Sequence, residues 1–451
     1  IKEHDQQYVQ QQTREMFLSK LPSPSLVINK HAFIRNCRSV LKEARRHGMR
    51  LRPHVKTHKT LEGSLIQATG ADLTSSSVVH FWPEVTGFVA STIPEISMLV
   101  NGSIQYGGPF NDILYGVPIG SSKIKQIDAL RRKLQQHCKH KDGSGGGEEG
   151  AIHVMVDHPS QVDALEHFVA STSSSLSIDD DDNAFSVFLK IDTGYHRAGV
   201  PCDERGVQLA VRIMESPHLN MKGIYSHCGH AYDVNDKEEL KNIAETDSSN
   251  MMKFMKLLQN HISSLPDDTY SKSKMDLSSL DISVGSTPSL FSHRNDMKLP
   301  NLEMHPGNYT LYDRQQLWSG ACTSEPDIAV RIMSRVIGHY KDRNTIMLDA
   351  GATALTKETT PQGGVCAIAG RLSDLECYKM SQEMILVRPT DYANVIFPYE
   401  DFALGKEVFL IPNHSCLAVA CFDEYHIIDD VTCGFSSEDE IIDRWIPAKG
   451  W

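Results

Sequence analysis

The stretch Leu51-Arg52-Pro53-His54-Val55-Lys56-Thr57-His58-Lys59-Thr60 decides how the rest of the chain is read. It runs through a proline into two lysines and two histidines. Pro53 disfavours helix at Arg52, so Met49 to Val55 reads as a strand ending at Lys56. Burial and a neighbouring positive charge both lower the pKa of a lysine placed there. Such a lysine can form a Schiff base with a carbonyl cofactor and then act as a base. The same residue types also fit a plain basic loop.

Working outward, Ser25 to Ile28 reads as a strand and His31 to His47 as a helix stopped by Gly48, with Phe33, Ile34, Val40, Leu41 and Ala44 near helical spacing. Strand, helix, strand in close order is the signature of a parallel sheet. The alternation continues downstream. Strands are expected at Ile113 to Val117, Ala151 to Val156, Phe185 to Ile191, Met221 to Ser226, Asp281 to Val284 and Asn301 to Met304, and an eighth at Val78-Val79. Helices are expected at Ser122 to His137, Ser160 to Ala170, Arg205 to Glu215 and Glu238 to Ser263. Repeated βα units over this span predict a (β/α)8 barrel with its active site at the C-terminal strand ends. A doubly wound sheet is the alternative, but no early GxGxxG follows a strand.

Residues 1–22 read as a polar helix, and the runs at 142–150, 171–183 and 272–279 as surface insertions too polar to bury a core. After Asp313, short β-type runs (Ile328 to Tyr340, Thr345 to Leu348, Met384 to Arg388, Glu407 to Ile411, Leu417 to Val419) alternate with turns, predicting a separate all-β domain. The expected division is a segment 1–29 contributing to the β domain, a barrel at 30–313 and a β domain at 314–451.

A net charge of −12 gives no reason to expect nucleic acid or an anionic membrane as partner. No apolar run reaches the roughly 18 residues that cross a bilayer. The ten cysteines follow no framework spacing and read as reduced thiols, so a cytoplasmic location is expected.

Five further motifs carry chemistry. Lys190-Ile191-Asp192-Thr193-Gly194-Tyr195-His196-Arg197 crowds charge at the end of an apolar strand, where a structural salt bridge is the plain alternative. Tyr225-Ser226-His227-Cys228-Gly229-His230 ends the next strand, and its histidines and cysteine also fit a metal cluster. Val284-Gly285-Ser286-Thr287 and His305-Pro306-Gly307-Asn308 follow the last two barrel strands, where glycines let backbone N–H groups cradle a phosphate. Last, in Asn413-His414-Ser415-Cys416 a strand would put imidazole and thiol on one face, a zinc-like donor pair.

RPHVKTHK resembles the cofactor-lysine motif of the D-threonine aldolase and eukaryotic-type D-serine dehydratase group, pyridoxal-phosphate enzymes of the alanine-racemase fold. The resemblance covers about Leu21 to Asp430. It implies that Lys56 holds the cofactor, with Lys59 the runner-up. KIDTGYHRAG is similar to the group's KxDTGxxRxG, which implies that Tyr195 and Arg197 border the cofactor and that Arg197 bonds its phenolic oxygen. His227 matches the histidine under the cofactor ring; Gly285, Ser286, Thr287, Gly307 and Asn308 fall at the phosphate turns. His305 stands where racemases carry an arginine, which argues against a racemase. His414 and Cys416 resemble the zinc pair of the dehydratase branch, which faces the cofactor; the aldolase branch has His-x-Asp. The resemblance thus implies a D-serine dehydratase using pyridoxal 5'-phosphate and Zn2+, and a homodimer in which the β domain of one subunit closes the barrel of the other. D-threonine aldolase and 3-hydroxy-D-aspartate dehydratase are sibling alternatives. A non-catalytic pyridoxal-phosphate-binding protein is the alternative from another class.

Overall fold

The computed structural model describes residues 16–72, 79–141, 150–173, 184–266, 276–290 and 301–451. The expected polar helix therefore lies largely outside the described residues, as do the insertions at 142–149, 174–183 and 272–275. In chain order the strands are β1 (Ser25–Asn29), β2 (Arg50–Leu51), β3 (Phe88–Ala90), β4 (Asp112–Pro118), β5 (Ala151–Val156), β6 (Phe185–Asp192), β7 (Val200–Pro201), β8 (Leu219–Tyr225), β9 (Asp281–Val284) and β10 (Leu302–Met304). They continue with β11 (Val330–Tyr340), β12 (Thr345–Leu348), β13 (Cys366–Ile368), β14 (Leu375–Met380), β15 (Ile385–Pro389), β16 (Glu407–Pro412), β17 (Tyr425–Ile428) and β18 (Asp443–Trp445). The chain forms two compact units: Ile1–Val40, Thr57–Asp72 and Asn308–Lys449 in one, Leu41–Lys56, Leu73–Gly307 and Gly450–Trp451 in the other.

The second unit holds a parallel sheet in the order β2-β10-β9-β8-β6-β5-β4-β3, with β7 beside β6. Its two edges meet through isolated parallel bridges, Leu51 with Val85 and His54 with Val89, which close the barrel. Helices Pro159–Ser173, Glu204–Glu215 and Lys237–Ser264 alternate with its strands, as the βα pattern requires. Because side chains alternate along a strand, the interior fills in layers. Asp112, His153, Ser186, Asp281 and Glu303 meet near the N-terminal strand ends, and Val89, Leu114, Met155, Phe188 and Tyr225 pack together above them.

The first unit carries the mixed sheet β14-β15-β12-β11-β1-β17-β18, with β16 pairing β11 and β13. β1 runs antiparallel to β11 and parallel to β17, which makes the N-terminal strand part of this sheet.

Several expectations need correction. Val79 is not in a strand; the strand falls at Phe88–Ala90, and Val78 lies outside the described residues. The strand before Lys56 is only Arg50–Leu51, because Pro53 has no N–H for a ladder; Lys56 sits in a 3-10 turn, Val55–Thr57. Ser171 to Ser173 complete a helix rather than opening an insertion, and Leu277–Ser279 form a 3-10 turn. Ser415–Val419 is a short helix, not a strand, since the hydroxyl-and-small-residue run after His414 follows no period of two.

Candidate active site

At the C-terminal ends of the barrel strands, the second unit gathers cations. Lys190 lies on β6, buried, with Nζ 5.2 Å from the centre of the Tyr225 ring. Tyr225, at the end of β8, stacks on His305 at 4.0 Å and 20°. Ser283 Oγ lies 2.9 Å from His305 Nδ1. His227 packs 6.0 Å from both His305 and Tyr195. The Arg197 guanidinium sits 4.8 Å over the Tyr195 ring, on an exposed loop. Asp192 shapes that loop by accepting from the N–H groups of Gly194 and His196, and His196 adopts φ 56°.

Burial is the main reason the Lys190 ammonium is pulled down to about 8; Arg197 and Lys56 reinforce it, while Asp157 and Asp192 oppose it. Burial likewise holds His227 well below its ordinary value, helped by Lys56, His305, Lys190 and Arg197. Those mutual effects bring the sequence-predicted Lys56, Arg197, His227 and His305 into one electrostatic neighbourhood. Lys56 is half-buried, and its backbone N–H donates to His54 Nδ1 at 3.3 Å.

The glycine turns are buried. Gly285 takes φ 95°, and its N–H donates to Asp247. Ser286 N–H donates to Ser289 Oγ, and Gly307 N–H to Thr287 Oγ1 at 3.3 Å, which ties the turns after β9 and β10 together. Gly229 is dictated by packing: a Cβ there would lie 2.3 Å from the Tyr195 ring.

The first unit holds the other motif. His414 Nδ1 lies 2.8 Å from Gln315 Oε1 and 4.0 Å from Asp313 Oδ2. With the proton on Nδ1 facing these acceptors, the lone pair is on Nε2, the usual orientation of a metal-binding imidazole. Cys416 Sγ is 3.1 Å from Thr57 Oγ1 and 3.7 Å from Asn308 Nδ2. Asn308 also donates to Asp313, which accepts the Ser415 N–H. The pair is thus positioned by a helix start and its hydrogen bonds, not by strand alternation. Among the described residues, no group of three or more His, Cys, Asp or Glu could hold a metal ion.

These surroundings fit the groups implied by the resemblance. Ser226 Oγ and His227 Nδ1 are buried without hydrogen-bond partners, and His227 lies in the field of Lys56, Lys190 and Arg197. That suits a phosphorylated cofactor. Imidazole and thiol form a borderline-soft donor pair suited to zinc, with positions left for water or substrate.

The motif's second histidine has another task. His58 is fully buried, bonded to Thr60 and Gln67, and burial draws it down to about 4. Lys59 takes φ 57°, and its carbonyl accepts the Ala448 N–H. Tyr225, Ser283, Gln315 and Thr57 were not singled out as site residues. Period-two counting back from His227 could have found Tyr225; the others meet their partners only through the fold.

Comparison with known proteins follows the same lines. A family model described as "Putative serine dehydratase domain" matches residues 329–428, and "Alanine racemase, N-terminal domain" matches residues 28–266. The chain is 30% identical to the D-serine dehydratase of Schizosaccharomyces pombe, over 96% of this chain and 93% of that protein. It is 28% identical to the D-serine dehydratase of Dictyostelium discoideum, over 96% and 98%. Among solved structures, D-threo-3-hydroxyaspartate dehydratase from Delftia sp. HT23 superposes with a TM-score of 0.75 at 23% identity, covering 97% of this chain and 100% of that one.

Proposed function

Since the chain belongs to the D-serine dehydratase family built on the alanine-racemase fold, we propose that it is a lyase eliminating water from D-serine to give aminoacrylate, which takes water up again on hydrolysis to pyruvate and ammonia. The observation that carries this reading is the convergence of Lys56, Lys190, Arg197, His227 and His305 at the C-terminal strand ends. A cluster of this sign, with Lys190 and His305 buried, suits an anionic cofactor and an amino-acid carboxylate.

Pyridoxal 5'-phosphate, when bound, would supply an electron sink for the α-carbon. Lys56 Nζ would hold it and, once displaced by the substrate amine, take the α-proton. Arg197 would hold the phenolic oxygen, its guanidinium staying charged throughout. Tyr195 and His227 would border the ring. His305 would help to hold the cofactor, its ring oriented by Ser283 Oγ against Nδ1. Gly285, Ser286, Thr287 and Gly307, with Asn308 next in the chain, would hold the phosphate.

Zinc, when bound, would supply a Lewis acid for the leaving hydroxyl. His414 Nε2 and Cys416 Sγ would hold it, with Gln315 and Asp313 fixing the imidazole and Thr57 Oγ1 supporting the sulfur. A homodimer and a cytoplasmic location complete the reading. Among the described residues, no helix is long and apolar enough to cross a membrane.

The test is pyruvate release from D-serine with and without chelator, alongside D-threonine and D-threo-3-hydroxyaspartate. Glycine plus aldehyde from D-threonine, without pyruvate from D-serine, would overturn the assignment in favour of an aldolase.

A further inference from the structure

We propose that Arg52 is a positioning residue for Lys56, clamping the barrel at the seam where its two edges meet; this rests on the reading that Lys56 holds the cofactor. β2 has two residues, paired with β10 on one side and joined to the other by isolated bridges and by backbone N–H groups of Thr86 and Val89 donating to Leu51 and Pro53. Arg52 spans this seam with its side chain. Its guanidinium is fully buried, with Nε donating to Glu303 Oε1 on β10 at 2.8 Å and Nη1 donating to Asp112 at the start of β4.

Its neighbours complete the clamp. Arg50 pairs with Asp281 and Glu303 at 2.9 and 3.2 Å, Lys222 with Asp281 at 3.1 Å, and His153 with Asp112 at 2.9 Å. To reach Asp112 the guanidinium passes Gly87, just before β3, where a Cβ would clash with the Asp112 backbone carbonyl and lie 2.5 Å from Nη1. Glycine at this position leaves room for the β4 backbone and the guanidinium together. Buried ion pairs often contribute less stability than apolar packing of the same volume. A forked guanidinium bonded to two strands instead fixes distance and orientation. The segment it fixes carries Lys56 four residues on. Small displacements of a reacting group are costly, since catalysis depends on held geometry.

Two variants test this. Arg52→Lys keeps the charge but loses the fork; Glu303→Gln keeps the shape and weakens one of its two anchors. Apoprotein is titrated with pyridoxal phosphate to obtain its Kd, and the visible absorbance of the loaded protein is followed against pH. Both variants should weaken Kd about tenfold and shift the pH midpoint. Arg45→Ala, which removes a surface pair with Glu84 (Arg45 Nε to Oε1, 2.8 Å), should change neither. A lower melting temperature with unchanged Kd and midpoint in both folded variants makes Arg52 purely structural and overturns the proposal. If one variant fails to fold, the other decides. Borohydride reduction and peptide mapping of the wild type separately locate the cofactor-bearing lysine. Label on Lys59 overturns the Lys56 reading itself, whatever the Arg52 variants do.

Discussion

The two ends of the barrel solve opposite electrostatic problems with similar residues. Near the N-terminal strand ends, Arg50, Arg52, Lys222 and His153 meet Asp112, Asp281 and Glu303 within hydrogen-bonding reach. Burial alone would raise the Asp112 carboxyl, but Arg52 and His153 outweigh it and hold it far below its usual range. At the C-terminal ends, Lys56, Lys190, Arg197, His227 and His305 act on one another as like charges, and Lys190 and His227 are pushed towards their neutral forms. Charge balanced inside the protein serves the scaffold. Like charges that press one another towards neutral forms are the commoner mark of a site that binds. The same distinction separates the histidines, since His153 is an internal partner whereas His227 keeps an orphan Nδ1.

The largest way to break this contrast is at the lysine. Lys56→Ala should abolish the visible absorbance of the bound cofactor and lower pyruvate formation by on the order of 10²–10⁴-fold or more. Lys59→Ala should leave both nearly intact, and loss of the band in that variant would reverse the assignment. Next comes the metal pair: His414→Ala, Cys416→Ala or chelation should cost on the order of 10²–10³-fold in kcat with the cofactor band retained. Elemental analysis of the same samples must then find zinc lost; full activity in metal-free protein sinks this role.

Smaller effects sharpen the comparison through pH. His58 stays neutral in the fold down to about 4 but titrates near 6.5 once unfolded. The unfolded chain therefore binds more protons in that window, and stability should fall as pH drops from 6.5 towards 4. Denaturant melts of His58→Gln should lose part of that slope, by about 1–3 kcal/mol. Lys190 gives the smallest effect, in the opposite range. Its folded value of about 8 lies below the ordinary 10.5, so unfolding takes up a proton between them and apoprotein stability should rise with pH across that interval. Lys190→Met, or added inorganic phosphate at the cation cluster, should flatten the rise. An unchanged slope in both would mean that Lys190 is balanced within the protein, like the charges at the opposite end.

Much of the fold was legible because it rests on local pattern. Apolar runs at Ala151–Val156 and Asp281–Val284 and the amphipathic Lys237–Ser264 helix declare themselves through period and punctuation. The motif residues around Lys56, Arg197 and His227 were legible for a related reason, since barrel chemistry gathers at strand ends. Strands as short as Arg50–Leu51 and Phe88–Ala90 were not, because so few residues carry no measurable period and hold their place by pairing across the sheet. The turn after Asn413 was misread because small and hydroxyl residues suit strand and helix alike, and Asp313 and Gln315, a hundred positions upstream, decide its geometry. The sequence by itself thus determined which side chains are candidates for chemistry. Only tertiary structure decided which of them are balanced and which are not, because burial and the distance between charges belong to the folded chain and not to any segment of it.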